Sequence, residues 1–397
     1  MKQLLRSFAA GLSPWELILI AALALALLFT QISVSVVQSF LAVAVAAWVI
    51  LLVRKERRFA VPTFFWPLIV YAALSLVAAA FSRDQALSFK DTRKLLLYVV
   101  IPILATAFTR REEIELMLYV LLGSGFINVA YSIGYEIFKA DPGQRVEGFM
   151  GHYMTQAGLL VLFASLALAF LLFGRGKGRI VWGAGLVLSS YALVLTMTRS
   201  GWIGLAVALC VIVYLWKPTM LLAVPVLAAL FFVLSPQPVK DRVLSIFSSR
   251  DFSNQARMEY WRAGIKIVED YPLFGTGPDT VNVVFQNPKY GLDPRARQNV
   301  HLHNNILQIA AERGIATVLA WLAFIAVAFV SLARLLKKKD ALQTPLAAGA
   351  LSALAAFFAA GFFEYNFGDS EVSTLLLVLL TLPFALDRMT AGPGLSS

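Results

Sequence analysis

MTQAGLLVLFASLALAFLLF, residues Met154–Phe173, decides the fold class. It carries no charged side chain. Wound as an α-helix at about 1.5 Å per residue, it is about 30 Å long, the thickness of a bilayer's hydrocarbon core. Within one span only a helix satisfies its own backbone groups in hydrocarbon, and the run lacks the period-two alternation of a barrel strand. Eleven further runs read the same way: Pro14–Thr30, Ser33–Val53, Thr63–Phe81, Leu95–Phe108, Glu115–Phe138, Ile180–Met197, Gly201–Trp216, Met220–Leu234, Gly314–Ala333, Pro345–Phe363 and Val372–Leu386. The fold class is therefore an all-α polytopic membrane protein with about twelve transmembrane helices.

Composition agrees. Of 397 residues, 59% are hydrophobic and 14% charged, with mean hydropathy +0.75, whereas a soluble domain carries roughly 25% charge. The single cysteine, Cys210, lies in an apolar run and excludes an internal disulfide or a thiolate metal cluster. The basic residues are scattered among the spans, which argues against nucleic acid and for topology and contact with membrane lipids. Met1–Ser13 leads into the first apolar run without a small-residue cleavage site, so it is read as part of a first span rather than a removed leader.

The short loops set the orientation. Arg54–Arg58, Arg110-Arg111, Arg175–Arg179, Lys217 and Arg334–Lys339 fall on one side, joined by Lys2, Arg6 and Arg388. Excess Lys and Arg in short loops marks the cytoplasmic face, which puts both termini inside. Residues 1–234 form a first helical bundle, 235–302 a long outer loop, and 303–397 the last helices.

The outer side carries the unusual polar groups: Arg83, Lys90, Arg93 and Lys94 in Ser82–Lys94; Arg145, Glu147 and His152 in Lys139–Tyr153; the junction Thr198-Arg199-Ser200; and Arg242, Arg250, Arg257, Arg262 and Lys266 in the long loop. Positive charge at a short outer junction runs against the orientation rule and asks for a partner, of which a bound anion is one. The long loop is too polar to span and too long for a connector, so it reads as a lid or binding element. Asn254–Glu269 has helical spacing, with Ser253 or Asn254 placed to cap it and Tyr260, Trp261, Ile265, Ile267 and Val268 as its apolar stripe. Gly275 and Gly277 follow; without a preceding strand or a full motif they fit an ordinary turn better than a phosphate loop. Glu364, Asp369 and Glu371 lie around the last outer turn, where an ordinary loop is the first reading and orienting arginines or the acceptor the second.

His301-Leu-His303 ends the polar segment. An imidazole where polar chain meets bilayer is either a proton-transfer group or a solvated interfacial side chain. A zinc site would need further ligands, and neither Glu312 nor Asp293 is fixed as one by spacing. The reading therefore includes no metal and no cofactor.

The ordered motifs carry a resemblance. His303-Asn304 precedes Gly314 by nine residues, with Gln308 and Glu312 between; Thr198-Arg199-Ser200 stands with Gly204; Arg257 stands with Trp261, followed by Pro272-Leu-Phe-Gly275-Thr-Gly277; and Gly148-Phe-Met-Gly151-His152 precedes a span. In this set the chain resembles the O-antigen ligase and Wzy-type polymerase superfamily of bacterial envelope proteins. The resemblance implies a GT-C-like glycosyltransferase of the inner membrane, metal-independent and inverting. Its donor would be an undecaprenyl diphosphate-linked glycan, and its acceptor lipid A-core or another glycan on the periplasmic side.

Chemistry supports the same assignment. A sugar hydroxyl is a poor nucleophile, and imidazole is the base best matched to neutral pH. His303 is the expected base, with His301 as its support or as a hydrogen bonder to the substrate. Diphosphate leaves with growing negative charge, which guanidinium groups pair bidentately; Arg199 and Arg257 are the expected clamp. Arg145, Lys90, Arg93 and Asn304 are expected substrate contacts, and His152 a further polar one. A Wzy-type polymerase is the rival within the same chemistry. A lipid-linked glycan flippase or transporter is the rival outside it, but such a protein scatters charge through mid-span positions, which are almost uncharged here.

Overall fold

The computed structural model describes residues 11–139, 141, 143–293 and 296–391; Lys2 and Arg6 lie outside them. In chain order the helices are α1 (Pro14–Phe29), α2 (Val34–Val53), α3 (Phe65–Ala80), α4 (Gln85–Asp91), α5 (Val100–Ala107), α6 (Arg111–Phe138), α7 (Tyr153–Phe173), α8 (Gly178–Leu195), α9 (Arg199–Trp216), α10 (Ala223–Leu234), α11 (Gln237–Leu244), α12 (Phe252–Asp270), α13 (Val281–Val284), α14 (Asn305–Arg313), α15 (Ile315–Leu335), α16 (Gln343–Ala360) and α17 (Ser370–Ala391). No strand occurs among the described residues.

Eight of these elements are long and apolar enough to cross a membrane: α2, α6, α7, α8, α9, α15, α16 and α17. Three of the twelve expected runs form shorter apolar helices, Pro14–Phe29, Phe65–Ala80 and Pro218–Leu234. The remaining expected run, Leu95–Phe108, is not one α-helix. A 3₁₀ stretch, Thr92–Val99, runs into α5, and every residue of α5 is buried. It packs beneath α17 rather than against lipid, a setting in which an interrupted helix keeps its backbone satisfied.

At the centre α7 and α9 pack on α16. Burying apolar surface against neighbours gains little over lipid, so close van der Waals approach decides such contacts. A Cβ at Gly204 would sit 3.1 Å from the Ala356 carbonyl oxygen, and one at Gly349 2.9 Å from Leu166 Cδ1. The small residues are what let these helices touch.

The two ends of the bundle differ. At one, Arg57 pairs with Glu16, Lys338 with Asp387 and Arg111 with Asp340, and Arg388 reaches the Arg58 carbonyl. These are the basic loop residues assigned to a single face by sequence. At the other end lie the polar segments 82–94, 139–153 and 196–200, the long segment 235–304, and the α16–α17 connection.

The long segment is a folded cap. Tyr260, Ala263, Ile267, Val281, Phe285, Tyr290, Leu292 and Leu302 form a separate small core, joined by Ala311 of α14. Full burial of side chains such as Phe285 and Ile267 stabilises the cap by about 1.5–3 kcal/mol each. The central helix α12 begins at Phe252, two residues before the expected start at Asn254, because its cap is Asp251, which accepts from Asn254 N, rather than Ser253 or Asn254. Its buried face is Tyr260, Ala263, Gly264 and Ile267, while Ile265 is exposed.

Candidate active site at the polar end

His303 stands in the left-handed region, with φ 49°. A non-glycine residue there needs neighbours that fix it. Asn304 caps α14, its side chain accepting from Leu307 N at 2.9 Å, while its Nδ2 donates to the Phe362 carbonyl at 3.1 Å. Asn305 N donates to the Gly361 carbonyl at 2.8 Å, and Asn305 Nδ2 to Asn366 Oδ1 at 2.6 Å. Gln308 accepts from Leu302 N at 2.6 Å and donates to Glu312 at 2.7 Å. The polar residues of the motif thus zip the histidine segment onto the α16–α17 connection.

That connection holds the ring. His303 Nδ1 lies 3.1 Å from Glu364 Oε2, and its Nε2 lies 2.9 Å from Asn299 Nδ2. Glu364 is 6% exposed. Burial pushes its carboxyl up, but His303, then His301 and Arg257, hold it down to about 2. The His301 ring meets the His303 ring edge to face at 5.6 Å and lies 6.0 Å from Tyr365. Burial pushes His301 down to about 4, so it is neutral at pH 7.

The four arginines around the Thr198 junction behave differently. Arg257 Nε donates to the Phe363 carbonyl at 3.2 Å and Nη1 to Ser253 Oγ at 2.8 Å, leaving Nη2 without a hydrogen bond among the described residues. Arg199, 6% exposed, uses both terminal nitrogens: Nη1 donates to Ser245 O and Oγ, and Nη2 to Asp251 and Asn254. It locks the start of α12 to the start of α9. Arg145 donates to the Thr196 and Met197 carbonyls and stacks 3.5 Å over Tyr153; Arg242 donates to the same Met197 carbonyl. Both satisfy carbonyls at the α8 C-terminus, where cations are favoured. Burial lowers Arg145 to about 10; Tyr153 opposes this, and Arg242, Arg199 and Arg257 add to it. Four guanidinium groups therefore share one region.

Lys90 and Arg93 are exposed and stand elsewhere, on the segment around Asp91. There Arg313 is buried, paired with Glu312 at 2.6 Å, Asp91 at 2.8 Å and Tyr365 at 3.2 Å. This network ties α14 to α4 and to the α16–α17 connection. The Gly275-Thr-Gly277 loop serves the same junction: Thr276 N and Gly277 N donate to the Ala311 and Glu312 carbonyls at 2.9 Å. Its amides are used internally rather than turned toward a phosphate. His152 is exposed, with Nδ1 3.3 Å from Thr155 Oγ1, which in turn donates to Asp369 at 3.0 Å. Burial, then Glu364 and Glu371, push Asp369 up to about 7. Beside Glu364 and Asn366, a narrow hollow of about 20 Å³ lies between Gly158, Ser200, Gly201 and Val372.

Two residues at the site escaped the sequence assignment. Glu364 is 61 positions from its histidine partner, and no local pattern joins them. Arg242 looked like one more basic residue of the loop.

Fold and site define a polytopic helical membrane protein whose ionisable groups collect under a folded cap at one end. Residues 184–322, about a third of the chain, match the family model Wzy_C, described as O-antigen ligase, a similarity that supports the resemblance to the O-antigen ligase/Wzy superfamily. The matched part runs from within α8 to within α15 and includes Arg199, Arg242, Arg257, His301 and His303. The match supports an enzyme of the general ligase or polymerase type, a family that implies lipid-linked glycan substrates. An uncharacterized protein of Haemophilus influenzae is 22% identical over 276 residues, which is 63% of this chain and 67% of that protein.

Proposed function

We propose that this protein transfers a glycan from undecaprenyl diphosphate to an acceptor hydroxyl, with lipid A-core sugar as acceptor, at the periplasmic face of the inner membrane. The observation that carries the proposal is that His303 and Arg257 are bound to consecutive residues, Glu364 and Phe363, of one connection. A base and a phosphate-binding cation thereby share a mount.

In the reaction His303 takes the proton from the acceptor hydroxyl as its oxygen bonds to the anomeric carbon. The bond from that carbon to the diphosphate oxygen breaks, and the electron pair leaves with the diphosphate. One displacement inverts the anomeric centre. Arg257 turns its free Nη2 edge to the leaving group, and guanidinium charge takes the role a metal has in other phosphate chemistry. Arg199 contributes its charge and holds the helix that presents Arg257. Arg145 supports the junction next to Arg199. His301 and Asn304 shape the acceptor side of the base. Lys90 and Arg93 stand on an exposed outer segment, suited to lipid phosphates or acceptor glycan rather than the diphosphate.

The test is reconstitution of the purified protein with a lipid-linked glycan and alternative acceptors. Transfer to lipid A-core supports the ligase reading. Lengthening of the lipid-linked glycan means a polymerase with the same chemistry. Undiminished transfer by His303→Ala would overturn the assignment of the base.

A further inference from the structure

The His303 imidazole is held from both sides. On one side is the Glu364 carboxylate, buried and contacting Nδ1; on the other is the Asn299 amide, contacting Nε2. Glu364 is also fixed itself, since its Oε1 accepts from Tyr365 N at 3.2 Å. The titratable and charged groups around the pair are His301 on the same segment, Arg257 and Tyr260 of α12, and Asp369 before α17.

A carboxylate only accepts hydrogen bonds, so the proton of a neutral ring must sit on Nδ1. Nε2 then carries the lone pair, which matches an amide N–H pointing at it. The opposite tautomer would aim a lone pair at a carboxylate and an N–H at an amide N–H, two repulsive contacts. Asn299 Nδ2 also donates to the His301 carbonyl at 3.1 Å, so its orientation is set.

We propose that Glu364 is a positioning residue for His303: it fixes the Nδ1–H tautomer, leaves Nε2 as the nitrogen that receives the acceptor proton, and stabilises the imidazolium that results. Asn299 occupies, in the resting site, the direction from which the hydroxyl arrives. The inference rests on His303 being the base. It adds a residue 61 positions away and outside the family match.

Two measurements test it. The first needs no measurement of turnover: ¹⁵N spectra of histidine-labelled protein, with the His303 signal assigned through its loss in His303→Gln, should show a protonated Nδ1 and an unprotonated Nε2 at neutral pH. The reverse tautomer overturns the inference. The second is turnover of Glu364→Gln and Glu364→Asp in the reconstituted assay. Glu364→Gln should lower kcat about 100-fold or more, the size of a general-base contribution, with the KM for donor changed less than about threefold, and Glu364→Asp should recover part of the loss. Glu364→Gln with kcat within about twofold of the parent overturns the inference. If His303→Ala loses transfer while Glu364→Gln keeps it, the base assignment stands and the positioning role falls; if His303→Ala keeps transfer, both fall.

Discussion

Arg257 and His303 are fastened to neighbouring residues, the first through Nε to the Phe363 carbonyl at 3.2 Å and the second through Nδ1 to the Glu364 carboxylate at 3.1 Å. They come from different elements, α12 of the cap and the turn before α14. A movement of the α16–α17 connection therefore carries both at once. Their spacing is protected, and geometry at this level is what a displacement reaction requires.

Arg257→Lys should separate charge from shape. Lysine keeps the cation but offers no planar fork, so it cannot hold Phe363 and Ser253 while presenting a further edge. Turnover is expected to fall by about tenfold or more, with protein yield near that of the parent. Parental turnover with a fluorescent lipid-linked donor would remove Arg257 from the clamp.

Arg199 is expected to act on stability as well as on rate. Its guanidinium joins the start of α9 to Ser245, Asp251 and Asn254. Truncation to alanine leaves a largely buried Asp251 without its cation, which costs roughly 3 kcal/mol. Thermal unfolding in detergent should show Arg199→Ala well below the parent. Arg199→Ala combined with Asp251→Asn should recover part of that loss, since the second change removes the stranded charge. Equal melting of Arg199→Ala and the parent would mean the pair does not organise α12.

Much of this architecture was legible because membrane spans announce themselves locally. An uncharged run such as Met154–Phe173 needs no knowledge of its neighbours. The facing of basic loops was legible for the same reason, and Arg57, Arg111, Lys338 and Arg388 do share one end. What stayed hidden depended on contacts between distant parts of the chain. Leu95–Phe108 reads as a span, though a short one, yet enclosure beneath α17 lets it break into a 3₁₀ stretch and a short helix. Arg145 reads as a free cation, but carbonyls about fifty positions away absorb it. Glu364 reads as a loop acid because nothing near it in the chain reveals His303.

Gly275 should prove more sensitive than its place in a turn suggests. Its φ is 66°, and a Cβ there would lie 2.2 Å from the Glu312 carbonyl carbon. Backbone cannot retreat as a side-chain end can, so Gly275→Ala should push the loop off α14 and disturb the Arg313 network. Gly151 has nearly the same φ, 65°, but open space around the added carbon. Gly151→Ala should cost only about 1 kcal/mol, the penalty of the left-handed conformation. A thermal shift no larger for Gly275→Ala than for Gly151→Ala would show that the loop does not pack on α14 this closely.

The pH response isolates His301. Burial lowers its pKa from 6.5 to about 4 in the folded protein. Between those values the unfolded chain binds a proton that the folded chain refuses, so this group's contribution to stability falls as pH drops from 6.5 toward 4. Asp369 and Glu312 act in the opposite direction: burial raises each to about 7, and the folded state gains protons as pH falls. A bare melting curve mixes these effects. The difference between parent and His301→Gln separates them, because glutamine does not titrate. Any advantage of the parent measured at pH 7 should shrink on acidification to pH 4.5, by on the order of 1–3 kcal/mol. A difference that stays constant over that range would mean that His301 takes up its proton as readily in the folded protein as in the unfolded chain.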